Sequence, residues 1–554
     1  MKIFLGQINP KIGDINGNSK KILEFCSIAK AQGANLAVFP EMSLIGYPPK
    51  DLILKPELYE KQNQALEIIA KESSADFGII LGGISPNLKY GKRLFNSVFC
   101  LANGVLESTA HKTLLPSYDV FDETRYFEAA KESSVWDFMS YKIGLSICED
   151  IWIEELDNLY SKDPIIELIS KDADFIINCS ASPYSFHKPL IRKDMIAKIS
   201  KKFSVPIIYV NQVGANDELI FDGASLVFNK EANLVYKLKS FTEDHTTIDL
   251  NEIENLPTIT TIERGKENIF SIIEDINSSA ALELESALTL GLQDYIYKCG
   301  FSKIVLGLSG GVDSALVAYL ATKALGKENV YAYMLPSEFT SKESFNDAEA
   351  LAKNLGIHYQ IVSIAKLHDE LRTVIPDFSN LVDENLQPRI RASILMAFAN
   401  SLHALLLSTS NKSEIAVGYS TLYGDSCGAL AVIGDLLKTT IYKLCDYINQ
   451  GKEIIPVNIL KKAPSAELRH DQKDSDSLPD YGTLDKIILL YVQELKSLKG
   501  IVAYGFEEAT VMKVLNMIDR AEYKRQQAPP ILKVASKAFG IGRRMPIAQG
   551  FKNG

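Results

Sequence analysis

Short apolar runs punctuate the first half of the chain at residues 2–8, 36–40, 77–84, 97–101, 142–148, 175–180, 206–210 and 224–228, and each has strand character. Between several of them lie amphipathic stretches with helical spacing, at 19–31, 58–71 and 190–203. Strands interleaved with helices predict an α/β layered domain. Runs such as Ile143-Gly144-Leu145-Ser146-Ile147 lack polar alternation, so their sheet is expected to be covered on both faces.

The pattern weakens over 263–279, and a helix is expected to begin near Leu282. Beyond it, strand and helix alternate regularly: apolar strands at 304–308, 330–335 and 359–364, helices at 315–324 and 345–355. That order predicts a doubly wound parallel sheet, in which ligands bind outside the carboxyl ends of the strands. A helical stretch at 391–407, a strand at 414–418 and a polar, Asp-rich loop at 469–481 complete this half. The organisation read from the pattern is a first domain at 1–262, a linker at 263–280 and a second domain at 281–554.

Composition narrows the partners. Apolar residues make up 46% of the 554 and charged residues 23%, which describes a globular chain with ample core. A formal net charge of −10 argues against non-specific binding of nucleic acid and favours small ligands. The longest apolar stretch, 394–407, is interrupted by Asn400, Ser401 and His403, so no membrane span is expected, and the amino-terminal apolar run is too short for a signal peptide. Seven cysteines without a Cys-x-x-Cys pair read as reduced thiols in a cytoplasmic protein.

The densest chemical signal is Gly307-Leu308-Ser309-Gly310-Gly311-Val312-Asp313-Ser314, which follows a buried strand and opens a helix. Adjacent glycines let main-chain N–H groups approach an anion, and the helix adds the positive end of its dipole. Asp313 beside a phosphate would repel it unless a divalent cation intervened, so Mg²⁺ is expected with a nucleotide. The string is neither a Walker loop nor a dinucleotide fingerprint. It resembles the Ser-Gly-Gly-x-Asp-Ser loop of the N-type ATP pyrophosphatases, which cleave ATP between its α and β phosphates.

In the first half, Glu41, Lys112 and Cys148 each stand at or near the end of an expected strand, where residues distant in sequence can share a pocket. Alone, a strand-end cysteine is more often a core filler, a glutamate a solvated cap and a lysine a surface charge. Together they supply a thiol nucleophile, a base and a cation for an oxyanion, which suits attack on a carboxamide. The strings Phe-Pro-Glu, His-Lys-x-x-Leu-Pro and Ile-Cys-Glu-Asp resemble the carbon–nitrogen hydrolase, or nitrilase, family. That resemblance implies an α-β-β-α sandwich with Glu41 as general base, Lys112 on the tetrahedral intermediate, Cys148 as nucleophile and Glu123 in support.

An amide hydrolase joined to an ATP-cleaving domain makes sense if the first releases ammonia and the second consumes it. From end to end the chain resembles the glutamine-dependent NAD synthetases. The resemblance implies that L-glutamine, ATP and deamido-NAD are the substrates of a homo-oligomer with an internal ammonia channel and an adenine nucleotide α-hydrolase-like second domain. It implies glutamine contacts at Tyr118, Glu149, Ser182 and Lys188, with His187 departing from the usual glycine. It places ATP on the loop from Gly307 to Ser314 and at Thr409 and Lys438. Deamido-NAD is placed at Asn385, Arg389, Glu414 and Lys524, with Arg391 near phosphates and the metal at Asp313 and Glu414. Other glutamine-using enzymes with this loop, such as GMP and asparagine synthetases, resemble different glutaminase folds. A tRNA-modifying adenylase would favour a basic surface, which the acidic balance opposes.

Overall fold

The computed structural model describes residues 1–155, 159–260, 269–274, 276–375 and 379–553. The chain forms two compact units, Met1–Lys266 and Glu267–Gly554. Much of the expected linker, 263–268 and residue 275, lies outside the described residues. Within its remainder Ser271–Glu274 forms one helical turn, and the next helix, Ser278–Lys298, starts ahead of Leu282 because the Asn277 side chain accepts from Ala280 N–H.

The first unit stacks two six-stranded sheets. One has the spatial order Asp244–Asp249, Lys2–Gln7, Leu36–Val38, Gly78–Pro86, Leu94–Ala102, Val105–His111; the other runs Leu234–Lys237, Leu226–Phe228, Ile207–Asn211, Phe175–Ser180, Tyr141–Ile147, Ser134–Phe138. Alternate side chains explain the layering. Ile3, Leu5, Val38 and Val98 from the first sheet meet Ile143, Leu145, Ile177 and Ile208 from the second in one buried cluster. The opposite residues, including Phe4, Ala37 and Ile79, lie under the helices Ile15–Ala31 and Pro56–Ala70, and Ile176 and Ile207 lie under Pro164–Ser170 and Lys188–Phe203. Both faces of each sheet are therefore covered, as the unbroken apolar runs require.

The second unit is built on a parallel five-stranded sheet in the order His358–Ile361, Val330–Met334, Ile304–Gly307, Leu405–Ser408, Leu430–Ala431. The chain begins in the middle, winds outward one way and then the other, so the switch point falls between Ile304–Gly307 and Leu405–Ser408. The segments 308–314 and 409–414, each a short loop running into the first turn of a helix, leave the carboxyl ends of those two strands, where such sheets bind ligands.

Two expectations fail here. The helix expected at 391–407 runs instead over Asn380–Leu402; His403 takes a left-handed φ of 50° and ends it, which frees Leu405–Ser408 to become a strand. The strand expected at 414–418 is the helix Lys412–Val417, since the Asn411 side chain accepts from Glu414 N–H at 2.9 Å and caps it. A short apolar run fits either element, and the cap decides.

That helix is anchored from below. Lys412, fully buried, donates to Asp435 at 2.8 Å, and the other Asp435 oxygen accepts from the main-chain N–H groups of Val534 and Ala535 at 2.8 and 2.6 Å. Asp435→Ala would strand a buried ammonium, and it is expected to destabilise this unit by about 3–5 kcal/mol. The midpoint of urea unfolding checks this.

Candidate functional site

The strand Leu36–Val38 delivers Glu41, the strand Val105–His111 delivers Lys112 and the strand Tyr141–Ile147 delivers Cys148. Glu41, Lys112 and Glu123 are buried together. Lys112 Nζ donates to Glu41 Oε1 and Glu123 Oε1, both at 2.8 Å, and Glu41 Oε2 accepts from Ala181 N–H at 2.9 Å. Tyr47 OH donates to Glu123 Oε1 at 2.8 Å, and Asn96 Nδ2 donates to Glu41 Oε1 at 2.6 Å.

Burial disfavours the Lys112 charge, but Glu123 and Glu41 outweigh it and hold the ammonium well above its ordinary range. Burial, opposed by Lys112 and aided by Glu41, pushes Glu123 up to about 7. Cys148 has φ of +42°, a left-handed conformation that costs a non-glycine residue on the order of 1–3 kcal/mol. The sharp elbow it makes is held by Asp150, which accepts from Ile147 N–H at 3.0 Å and from Thr113 and Leu114 N–H at 2.9 and 2.7 Å. One carboxylate thus ties the Cys148 turn to the segment following Lys112. Burial and Glu41 raise the Cys148 thiol well above its usual range, with Lys112 opposing, so it rests protonated and needs a base to become a nucleophile.

Beside the elbow, Tyr118 and Tyr160 hydroxyls donate to Glu149 Oε1 at 2.7 and 3.1 Å. Lys188 Nζ lies 5.2 Å from the Trp152 ring centre and 6.0 Å from that of Phe121, and its charge bears on Glu149. Ser182 follows Ala181, and its N–H donates to Asn211 Oδ1 at 3.0 Å. The structure therefore gathers Tyr118, Glu149 and Lys188, and sets Ser182 next to the residue that contacts Glu41. His187 has φ of +67°, the region that favours the glycine expected there, yet it still starts the helix Lys188–Phe203.

In the second unit, Ser309 Oγ accepts from Gly311 N–H at 3.2 Å and Ser314 Oγ donates to Gly311 O at 3.0 Å, closing the loop ahead of the helix Val312–Leu325. Gly310 has φ of +80°, and a Cβ there would stand 2.2 Å from the Ser344 carbonyl oxygen. Only glycine fits. Lys438 Nζ bridges Asp313 Oδ2 at 2.5 Å and Glu414 Oε1 at 3.2 Å, while Asn411 Nδ2 donates to Asp313 Oδ1 at 2.9 Å. Burial, opposed by Lys438 and aided by Asp313, pushes Glu414 up to about 8.

Among the described residues no group of three or more His, Cys, Asp or Glu could hold a metal. Two carboxylates converging on one cation, with phosphate oxygens to complete the shell, is nevertheless the usual provision for Mg²⁺. Asp313 and Glu414 fit that ion.

Next to the loop a cavity of about 240 Å³ is lined by Gly307, Leu308, Ser309, Leu335, Leu395 and Leu406, with Arg391, Thr409 and Glu467 as polar members. Asn385 and Arg389 are not among its lining residues. Asn385 Oδ1 accepts from Thr421 Oγ1 at 2.8 Å and Arg389 Nε donates to Leu422 O at 3.1 Å, so both brace the segment leading to Gly424 and Asp425, which do line it. Lys524 Nζ donates to the Gly418 and Ser420 carbonyls, each at 2.7 Å. Sequence reasoning did not single out Asn96, Tyr47 and Asp150 in the first site, nor Asn411 and Asp474 in the second. Asp474 is buried, accepts from Tyr481 OH at 2.8 Å, and adds a third negative group near Lys438, whose ammonium lies 5.3 Å from the Tyr481 ring centre.

Comparison with known proteins matches residues 2–258 to the carbon-nitrogen hydrolase family and residues 284–528 to the NAD synthase family. The chain is 43% identical to a glutamine-dependent NAD(+) synthetase of Synechocystis sp., over 99% of each chain. It is 40% identical to that of Thermotoga maritima, over 100% of this chain and 99% of the other. Among solved structures it is similar to a glutamine-dependent NAD+ synthetase from Acinetobacter baumannii in complex with ADP, at 34% identity and a TM-score of 0.75, covering 100% of this chain and 99% of that one.

Gly310→Ala should force the Ser344 carbonyl and the loop apart. Adenine nucleotide binding, followed by titration calorimetry, is expected to weaken at least about tenfold.

Proposed function

The chain belongs to the glutamine-dependent NAD(+) synthetases, and we propose that Cys148 performs its glutamine hydrolysis while the loop from Gly307 to Ser314 holds its ATP. As a member it is a ligase that uses the amide of glutamine to amidate deamido-NAD. We assign an amidase domain to 1–262 and a synthetase domain to 281–554, joined by 263–280, a division supported by family matches at 2–258 and 284–528.

In the proposed first reaction Glu41 takes the thiol proton of Cys148 and the thiolate attacks the glutamine carboxamide carbon. Lys112 faces the oxyanion that develops. The proton held on Glu41 passes to the leaving nitrogen, ammonia departs, and water, activated by the same carboxylate, hydrolyses the glutamyl thioester. Tyr118, Glu149, Ser182 and Lys188 are assigned to the amino-acid end of glutamine, where carboxylate and ammonium groups of opposite sign can meet a substrate carrying both charges.

In the second reaction the nicotinate carboxylate of deamido-NAD attacks the α phosphorus of ATP and pyrophosphate leaves. Ammonia then displaces AMP from the adenylated carboxyl to give the amide. The apolar walls of the cavity beside Gly307 suit a purine ring, with Thr409 and Arg391 as polar contacts. Ser309, Ser314 and the amino terminus of Val312–Leu325 hold phosphate oxygens. Lys438 is placed to follow the charge that builds on pyrophosphate as the α–β bond breaks. Asp313 and Glu414 would hold Mg²⁺, which offsets phosphate charge when bound. Asn385, Arg389, Glu414 and Lys524 are assigned to the dinucleotide, with Asn385, Arg389 and Lys524 acting largely through the 418–425 segment they brace.

Ammonia is a nucleophile only when unprotonated, and neutral water would protonate nearly all of it, so its transfer is assigned to a confined route. No helix among the described residues is long and apolar enough to cross a membrane; placement in the cytoplasm is assigned from the sequence, whose seven cysteines form no Cys-x-x-Cys pair. Assembly as a homo-oligomer rests on the family resemblance, and light scattering of the full chain tests it.

The observation that carries this reading is the Lys438 bridge between the loop carboxylate Asp313 and Glu414, because it joins a phosphate loop to a cation site in one contact. Purified protein given deamido-NAD, ATP, Mg²⁺ and glutamine should form NAD and AMP in equal amounts. Cys148→Ala is expected to abolish synthesis from glutamine, by at least about 10³-fold, while synthesis from ammonium salts persists. Loss of both activities in a folded protein would sink the assignment of two separable sites. Chelation of divalent ions should stop AMP formation and leave glutamine hydrolysis running.

A further inference from the structure

Asn96 lies fully buried on the strand Leu94–Ala102, and its hydrogen bonds reach Glu41, Glu123 and the main chain of Lys112. Its Nδ2 donates to Glu41 Oε1 at 2.6 Å and to Glu123 Oε2 at 3.3 Å, and its main-chain oxygen accepts from Lys112 N–H at 2.9 Å. The amide can face this way only. Turned over, its oxygen would oppose two carboxylate oxygens in a site closed to water. The cost of the orientation is visible, since Asn96 Oδ1 is buried with no hydrogen-bond partner.

A buried amide that leaves its own acceptor unsatisfied to present one N–H₂ to two carboxylates is placed for electrostatics and not for packing. The geometry points to Asn96 as a positioning residue for glutamine hydrolysis: one N–H₂ group holds Glu41 and Glu123 in alignment as acceptors, so that Glu41 faces the Cys148 proton. The inference rests on the reading of Cys148, Glu41 and Lys112 as the amide-hydrolysing group.

Lys112 alone cannot do this. One ammonium balances one carboxylate, and a second carboxylate in the same dry pocket tends to hold a proton, as the elevated Glu123 shows. A protonated Glu41 could not serve as base. The groups facing the pair are Lys112, Tyr47 from the loop after Leu36–Val38, Cys148 on the elbow, Cys179 on the neighbouring strand and Tyr160. Of these only Lys112 is cationic, and Tyr47 donates only to Glu123. Asn96 is thus the one neutral donor shared by both carboxylates among the described residues.

Removing a donor from a carboxylate raises its pKa, so the sign is fixed: the acid limb of the reaction must move to higher pH. In full-length Asn96→Ser, the acid limb of kcat/KM for glutamine is expected to shift upward by about one pH unit, with the plateau lowered about 10- to 100-fold. Synthesis of NAD from ammonium salts should stay at the wild-type rate. Alkylation of Cys148 by iodoacetamide should show the same shift without glutamine present. Asn96→Asp keeps size and shape and places a third carboxyl in the pocket, so its limb should also move up; this arm answers if Asn96→Ser disturbs packing. A lowered plateau with an unmoved limb in a folded variant overturns the inference and leaves Asn96 a packing residue. Wild-type protein that fails to hydrolyse glutamine overturns the underlying reading instead.

Discussion

Each unit of this chain takes one ammonium out of water and sets it between two carboxylates, and most of the architecture near both sites serves that arrangement. Buried ions lose several kcal/mol of hydration each, and mutual attraction returns it only when hydrogen bonds occupy the remaining lone pairs. In the first unit Ala181 N–H, Tyr47 and Asn96 supply those bonds around Lys112, Glu41 and Glu123. In the second, Asn411 supplies one to Asp313 beside Lys438 and Glu414. The sheets bring such groups together because side chains at strand ends converge where the strands themselves stop.

This convergence explains what could be read from the sequence. Glu41, Lys112 and Cys148 each follow an apolar run whose end is visible in the pattern, and Asp313 follows a glycine pair that signals a turn. Asn96 gives no such sign: it sits mid-strand between Phe95 and Ser97, and its importance depends on facing carboxylates far away in sequence. Asp150 and Asp474 are similar, since an aspartate in a loop reads as a turn former until its partners are known. Glu414 was legible as chemistry and misread as structure. The Asn411-Lys412-Ser413-Glu414 string is a helix start, with a capping side chain three residues ahead of a glutamate, and the apolar Ile415-Ala416-Val417 that follows disguised it as a strand.

The helix matters because a strand at that place would alternate its side chains across two faces. As the first turn of a helix, the segment turns Glu414 toward Lys438 and Asp313, while Lys412 reaches down to Asp435 and Ser413 to Asp485. Three consecutive polar side chains thus serve three separate directions. Two of them, buried, fix the third.

The two ammonium clusters differ in one respect that fits their proposed tasks. Around Lys112 the side chains of the lysine, Glu41 and Glu123 are 1%, 0% and 4% exposed. Around Lys438 the lysine is 4% exposed, but Asp313 and Glu414 are 17% and 19%. A sealed cluster can exchange only the smallest cation, a proton, and proton transfer is what the proposed amide hydrolysis at Cys148 asks of Glu41. A cluster open on its carboxylate side can admit a hydrated metal ion and phosphate oxygens, which need a path from water. Triphosphate approaching Asp313 and Asp474 meets carboxylates beside Lys438, and their repulsion is what the proposed Mg²⁺ would offset. The Tyr481 ring beside Lys438, held at its hydroxyl by Asp474, gives the ammonium a face to rest on.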